Sequence, residues 1–156
     1  MMHGPRLKIT IGPPILSPPR TQPFGLDQTG SRFTETDALI DTGAQRTVLA
    51  LEAVEKVGLS KINETELRTA GGVVKAGVYA ASLQFPRCSL KSIAVMEVSG
   101  CDLSHIPLYR CLIGRDVLSR WNFHYDGPSG TWFITEAEVP SWVLPPEGFD
   151  PDLWGQ

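Results

Sequence analysis

Two short apolar runs in this chain each stop abruptly at a glycine-containing turn. The first, Ala38-Leu39-Ile40, ends at Asp41-Thr42-Gly43, and the second, Arg110 to Ile113, ends at Gly114. Short apolar runs bounded by turn residues are typical of buried strands. An aspartate at the end of a buried strand has few ways to move. The first turn therefore presents a rigidly held carboxylate, which is the strongest chemical signal in the sequence.

The rest of the chain has the pattern of a β-rich domain. Its 15 glycines and 13 prolines indicate many turns, and the prolines cluster towards the two ends. Gly71-Gly72 lies between two extended segments, which predicts a hairpin because glycine accepts a positive φ. The predicted strands are Leu7–Ile11, Phe33–Thr36, Glu66–Thr69, Val73–Lys75, Val78–Phe85, Ser92–Val98, Asn122–Tyr125 and Thr131–Thr135. Leu51–Val57 predicts a short helix ended by Gly58, and Arg115–Trp121 predicts a helical turn or two.

Composition excludes several classes of function. The net charge of -3 offers no broad basic field for a phosphate backbone, so we expect no nucleic-acid partner. No stretch is long and apolar enough to span a bilayer, and the N-terminus lacks the apolar segment of a secretory signal. The three cysteines form no zinc-like spacing, so we expect free thiols, no metal and a cytoplasmic location.

The Asp41 turn has two interpretations that differ in their chemistry. Alone, a turn aspartate beside glycine usually caps its own backbone, and a lone buried carboxylate takes up a proton. Two carboxylates about 3 Å apart behave differently, because the pair shares one proton. One partner can then act as general base on a water while the other donates to a carbonyl.

Three segments together resemble the retropepsins, the retroviral-type aspartic proteases. Ala38 to Leu49 (ALIDTGAQRTVL) is similar to their active-site segment, and Cys111 to Leu118 (CLIGRDVL) is similar to their second signature. Thr69-Ala70-Gly71-Gly72 lies between them, where the family's glycine-rich flap belongs. The resemblance covers roughly residues 33 to 136 by order and spacing.

The resemblance implies a fold and a role for each matching residue. It implies an all-β protomer, a closed β-barrel with one short C-terminal helix and a terminal hairpin. Asp41 would be the catalytic residue, with no cofactor required. The implied supporting residues are Thr42, Gly43, Ala44, Ile113, Gly114, Arg115 and Asp116. The implied flap consists of Thr69, Ala70, Gly71, Gly72 and Val73. The expected substrate is an extended polypeptide, in pockets lined by residues such as Val48, Leu49 and Val73.

One Asp-Thr-Gly per chain implies that the active site needs a homodimer with a two-fold axis. Leu7–Ile11 and the terminal hairpin are the expected interface strands, because pairing would cover their exposed edges. The sequence departs from the viral pattern at Gln45, where an acidic residue is common. We therefore expect Asp116 to pair with Arg115 instead.

We divide the chain into three parts: an N-terminal strand and Pro-rich loop (1–32), the protease domain (33–136) and a tail with proline and tryptophan (137–156). The tail predicts packing of Trp142 and Trp154 on the domain, or occupation of the cleft. The alternative function is a non-catalytic dimerisation or peptide-binding module with the same fold. A third hypothesis is a precursor that trims its own proline-rich ends.

Overall fold

The computed structural model describes residues 4–16 and 33–137, and its elements are nearly all strands. The expectations for the tail, including Trp142 and Trp154, lie outside the described residues, as does most of the Pro-rich loop. The strands are β1 (Arg6–Gly12), β2 (Thr34–Ile40), β3 (Val48–Ala50), β4 (Lys61–Thr69), β5 (Gly72–Gln84), β6 (Ile93–Cys101), β7 (Cys111–Ile113), β8 (Trp121–Asp126) and β9 (Thr131–Glu136). The helices are α1 (Leu51–Val57) and α2 (Arg115–Leu118).

Seven of the strands form one sheet in the order β1-β2-β7-β3-β6-β5-β4. β1 also pairs with β5 through Thr10–Gly12, so the sheet closes into a ring and leaves β4 outside it. The all-β class predicted from sequence is confirmed. The shortest strands of the ring are β3 and β7, with three residues each.

The interior of the ring is filled by the apolar residues that alternate along its strands. Ile9 and Ile11 of β1 are fully buried, as are Leu49 of β3 and Ile113 of β7. Helix α1 covers one side of this core with Val54 and Val57. Gly58 ends α1 as predicted, with φ of 75° and its N–H donating to the carbonyls of Val54 and Glu55.

The centre of the sheet determines where the two turns meet. β2 and β7 run parallel, with Ile40 opposite Ile113, so Asp41 and Gly114 leave the sheet side by side. β3 runs antiparallel to β7, with Val48 opposite Leu112. The two apolar runs that the sequence marks are therefore neighbours, and the turns that follow them lie at the same edge.

The terminal hairpin, β8 and β9, is a two-stranded sheet of its own. Its base is held against the ring by an edge-to-face contact of Phe85 with Trp121, at 5.0 Å between ring centroids. Glu136 also accepts a hydrogen bond from the backbone N–H of Lys91, at 2.5 Å. Beyond this base the hairpin is exposed, and Phe133 keeps 57% of its surface accessible.

The structure extends several predicted strands. The separate predictions Val73–Lys75 and Val78–Phe85 are one strand, β5, since Ala76 and Gly77 continue the pairing with β4. β6 runs on to Cys101, beyond the predicted end at Val98. β1 has strand partners on both sides at Thr10 and Ile11, so these two residues offer no free edge to a second chain, whereas Leu7–Ile9 pairs only with β2 among the described residues.

The three cysteines are free, as predicted. Cys111 is fully buried in β7, and burial raises the pKa of its thiol well above the ordinary value, with a further contribution from the negative charge of Asp116. Burial likewise raises the pKa of Cys101, helped by Asp102. Cys111 therefore serves as a small apolar core residue. No helix within residues 4–16 and 33–137 is long and apolar enough to cross a membrane.

Candidate active site

Asp41 is held at the end of β2 by its backbone and by one carboxylate oxygen. Its N–H donates to the carbonyl of Ile113 at 3.0 Å, which ties it to β7. Its Oδ1 accepts hydrogen bonds from the N–H groups of Gly43, at 2.9 Å, and Ala44, at 3.2 Å. Among the described residues, Oδ2 accepts none. Asp41 therefore caps its own turn through one oxygen.

Gly43 leaves the space that this arrangement needs. A Cβ at this position would lie 3.2 Å from Asp41 Oδ1, which is tighter than an ordinary contact. Any other residue would therefore press on the carboxylate. Asp41 itself is half-buried, while Thr42 and Gly43 are exposed on the single chain. The turn thus presents its polar face outward rather than to the core.

Thr47 and Asp116 connect this turn to helix α2. Asp116 Oδ2 accepts the backbone N–H of Thr47 at 2.9 Å, and Oδ1 accepts the hydroxyl of Thr47 at 2.7 Å and the N–H of Val117 at 2.9 Å. The Thr47 hydroxyl in turn accepts the N–H of Gly114 at 3.1 Å. Thr47 is fully buried, so these bonds are shielded from water. We call Thr47, Gly114 and Asp116 the anchor.

The expected ion pair between Arg115 and Asp116 is wrong. The Asp116 carboxylate is occupied by Thr47 and Val117, and no described ion pair includes Arg115. The physical reason is that backbone donors at the start of a helix compete better for an adjacent carboxylate than an exposed guanidinium does. Arg115 instead supports the turn through its backbone, whose N–H donates to the carbonyl of Ala44 at 2.9 Å.

The predicted supporting residues thus come together, and one functional residue was missed. Asp41, Ala44, Gly114 and Asp116 are joined by the bonds above, while Ile113 contributes its carbonyl and a buried side chain. The sequence pattern predicted no role for Thr47. The available signal was a threonine at the edge of a fully buried strand, where an unpaired hydroxyl would be costly.

The β4–β5 hairpin carries the segment Thr69–Val73 at its tip. The Thr69 hydroxyl donates to the carbonyl of Gly72 at 2.9 Å and accepts the N–H of Gly71 at 3.2 Å. Gly72 has a φ of 116°, which favours glycine. The hydroxyl of Thr69 therefore closes the turn across its tip.

Of the pocket residues expected from sequence, Leu49 is wrong, because it is fully buried in the core and has no surface to offer a substrate. Val73 is 59% exposed and the adjacent Val74 is 40% exposed. Val74 lies opposite Leu67, which packs against the core, so Val73 is on the other face of the strand. A pocket role for Val73 stays a prediction.

Replacing Asp116 with alanine is expected to destabilise the chain by about 2 kcal/mol, since Thr47 and the N–H of Val117 would lose a buried acceptor. Urea unfolding of the purified variant measures this. Asp102→Ala is the matched control, because Asp102 accepts one exposed hydrogen bond, from Ser104. It is expected to cost about 1 kcal/mol or less. Equal urea midpoints for Asp116→Ala and Asp102→Ala would contradict a stabilising role of the anchor.

Three comparisons with known proteins bear on this site. The family described as "gag-polyprotein putative aspartyl protease" matches residues 33–120, which is more than half of the chain. That range contains Asp41, the β4–β5 hairpin and the anchor. No curated protein matches the sequence. Within the described residues, no group of three or more histidine, cysteine or acidic side chains could hold a metal ion.

Solved structures also match the chain. The EIAV protease, complexed with an inhibitor, is 20% identical, with 55% of this chain and 76% of that chain covered and a TM-score of 0.43. A retropepsin-like aspartic protease from Rickettsia conorii is 18% identical, with 85% of this chain and 92% of that chain covered and a TM-score of 0.46.

Proposed function

Because this chain belongs to the gag-polyprotein aspartyl protease family, which is retropepsin-like, we propose that it is an aspartic endopeptidase active as a homodimer. The observation that carries the proposal is the state of Asp41. Each chain holds one carboxylate at the end of a buried strand, fixed through Oδ1, and no other described residue donates to Oδ2. One such carboxylate is half of an acid–base pair, and a second copy supplies the other half.

Hydrolysis follows from one proton shared by two Asp41 carboxylates. The unprotonated carboxylate accepts a proton from a water, whose oxygen attacks the carbonyl carbon of the peptide. The protonated carboxylate donates to the carbonyl oxygen, which gives a neutral tetrahedral diol. Return of a proton to the leaving nitrogen breaks the C–N bond and releases an amine and a carboxylic acid. The fixed Oδ1 keeps the geometry of each carboxylate constant through these transfers.

The exposed faces of the single chain support the dimer. Thr42 and Gly43 are exposed beside Asp41, so a two-fold partner could contact them. The terminal hairpin presents Phe133 and Tyr125, each more than half exposed, and has no strand partner beyond its own two strands in the described residues. An aromatic two-stranded sheet is stabilised by further pairing. We assign the hairpin, rather than β1, to the interface.

The β4–β5 hairpin is the proposed flap over an extended peptide. Thr69 fixes its tip turn, and Val73 and Val74 present exposed apolar surface near the tip. Closure of such a hairpin excludes water from the reacting carbonyl. The free thiols suit a reducing compartment, so the proposal includes a cytoplasmic location.

Activity is expected to have a bell-shaped dependence on pH, with its maximum on the acid side. The physical reason is that only the singly protonated pair can act as base and acid together. Cleavage of a peptide library by the purified chain, from about pH 3 to pH 8, tests this. A rate that stays constant over that range would contradict the shared proton.

A further inference from the structure

A groove of about 350 Å³ lies beside the aspartate turn. It is lined by Arg46, Val95, Met96, Glu97, Asp116 and Arg120, which come from the end of the turn, from β6 and from α2 and the turn after it. Val95 is 49% exposed, and Arg46 and Arg120 are also exposed. The groove therefore combines the exposed side chain of Val95 with two guanidinium groups that solvent can reach and two carboxylates.

The cations of this groove are only weakly neutralised by the protein. Asp116 is an anchor residue whose carboxylate already accepts three hydrogen bonds. Glu97 lies 3.8 Å from Arg46, beyond the usual length of a charge-assisted hydrogen bond, and both side chains are about half exposed. Among the described residues, Arg120 takes part in no ion pair. Guanidinium donors are therefore left for another carboxylate.

Arg46 connects the groove to the catalytic turn. It follows Asp41 by five positions, and its backbone lies against Gly114, where a Cβ would come within 2.6 Å of the Arg46 carbonyl oxygen. The guanidinium therefore extends from a fixed point. Five residues span at most about 18 Å, and an extended peptide rises about 3.3 Å per residue. A peptide cleaved at Asp41 can thus reach Arg46 within about five residues of the scissile bond.

We propose that this groove is a subsite for an acidic side chain of the substrate, with Arg46 as its main specificity-determining residue. The proposal rests on the proposed function and names the substrate class: extended peptides with aspartate or glutamate within five residues of the cleaved bond. Arg46 exchanges its long contact with Glu97 for the substrate carboxylate, and Arg120 adds a second positive charge. The stem of the acidic residue packs on Val95.

The test compares matched peptides in cleavage and in binding. A cleaved peptide is resynthesised with glutamate or glutamine at each of the five positions on either side of the bond. At one position, glutamate is expected to raise kcat/KM about fivefold over glutamine, as suits an exposed ion pair. The preference is expected to vanish in Arg46→Gln, to fall in Arg120→Gln and to weaken in 1 M salt. Arg87→Gln is the matched control, because Arg87 pairs with Glu35 away from the groove.

Binding separates this proposal from the proposed function. Fluorescence anisotropy on the Asp41→Asn protein requires no catalysis, and its probes are labelled library peptides that differ only in glutamate or glutamine at one position. Tighter binding of the glutamate peptide to Asp41→Asn, lost in Asp41→Asn/Arg46→Gln, supports the subsite. Absence of cleavage by the wild-type chain would overturn only the protease assignment and would leave this binding result standing. Equal binding of the two peptides, or a preference that survives Arg46→Gln or disappears in Arg87→Gln, overturns the subsite.

Discussion

The Asp41→Asn variant is expected to lose peptide cleavage by at least about a thousandfold while it keeps its fold. An amide cannot accept the proton of the attacking water, and both copies of the residue change at once in a homodimer. The fold is retained because the amide oxygen can still accept the N–H groups of Gly43 and Ala44. Initial rates on a cleaved peptide and urea unfolding of the same samples measure the two effects.

Asp37→Asn is the matched control for this experiment. Asp37 lies on the same strand, and its carboxylate forms a partly exposed ion pair with Lys8 at 3.1 Å. Its loss is expected to cost about 1 kcal/mol or less and to leave the rate unchanged. Wild-type rates in Asp41→Asn would show that the carboxylate is only a turn cap and that cleavage does not depend on it. No cleavage by the wild-type chain itself would favour the binding module.

Mixing the two proteins examines the dimer directly. If wild-type and Asp41→Asn chains pair at random in equal amounts, about a quarter of the dimers carry two aspartates. The activity per wild-type chain is then expected to fall to about half, once subunits have exchanged. An unchanged rate after prolonged mixing would mean that each chain acts alone or that the dimers do not exchange. A rise of specific activity with protein concentration distinguishes these two cases.

The parts of the fold that could be predicted from the sequence are those determined by residues within one short segment. The α1 helix was predicted because its apolar spacing and Gly58 are contained within one short segment. Asp41 and Gly114 stood out because each interrupts an apolar run. The closure of the ring could not be predicted in this way. It depends on the pairing of Thr10–Gly12 with residues some seventy positions later, for which neither segment carries a local signal.

The same limit explains the errors at the site. Asp116 was assigned to its neighbour Arg115, but its partner Thr47 is 69 residues away in the chain. Leu49 was expected to line a pocket, but its burial depends on how β3 pairs with β6 and β7, which lie far away in the chain. Side-chain roles that depend on a distant partner require the structure. Features that depend on a turn, such as the position of Asp41 at the end of a buried strand, can be predicted from the sequence.

Gly114→Ala is expected to have the largest structural effect of any single methyl group added at the site. Its Cβ would lie 2.5 Å from the carbonyl carbon of Arg46, 2.6 Å from its oxygen and 2.9 Å from the nitrogen of Thr47. All three are backbone atoms, so the clash cannot be relieved by rotating a side chain. The turn after β7 has to move away from the aspartate turn, which breaks the bond from the Gly114 N–H to the Thr47 hydroxyl.

The expected result for Gly114→Ala is a loss of about 3 kcal/mol or more of unfolding free energy and a fall in activity of at least about a hundredfold. Activity falls because Asp41 is held by the carbonyl of Ile113, the residue just before the displaced turn. Gly127→Ala is the matched control, since its Cβ meets nothing closer than Tyr125 at 3.9 Å. That variant is expected to stay within about 0.5 kcal/mol of the wild type in urea unfolding. If Gly114→Ala unfolds at the wild-type midpoint and cleaves at the wild-type rate, the contact between the two turns does not hold Asp41 in place.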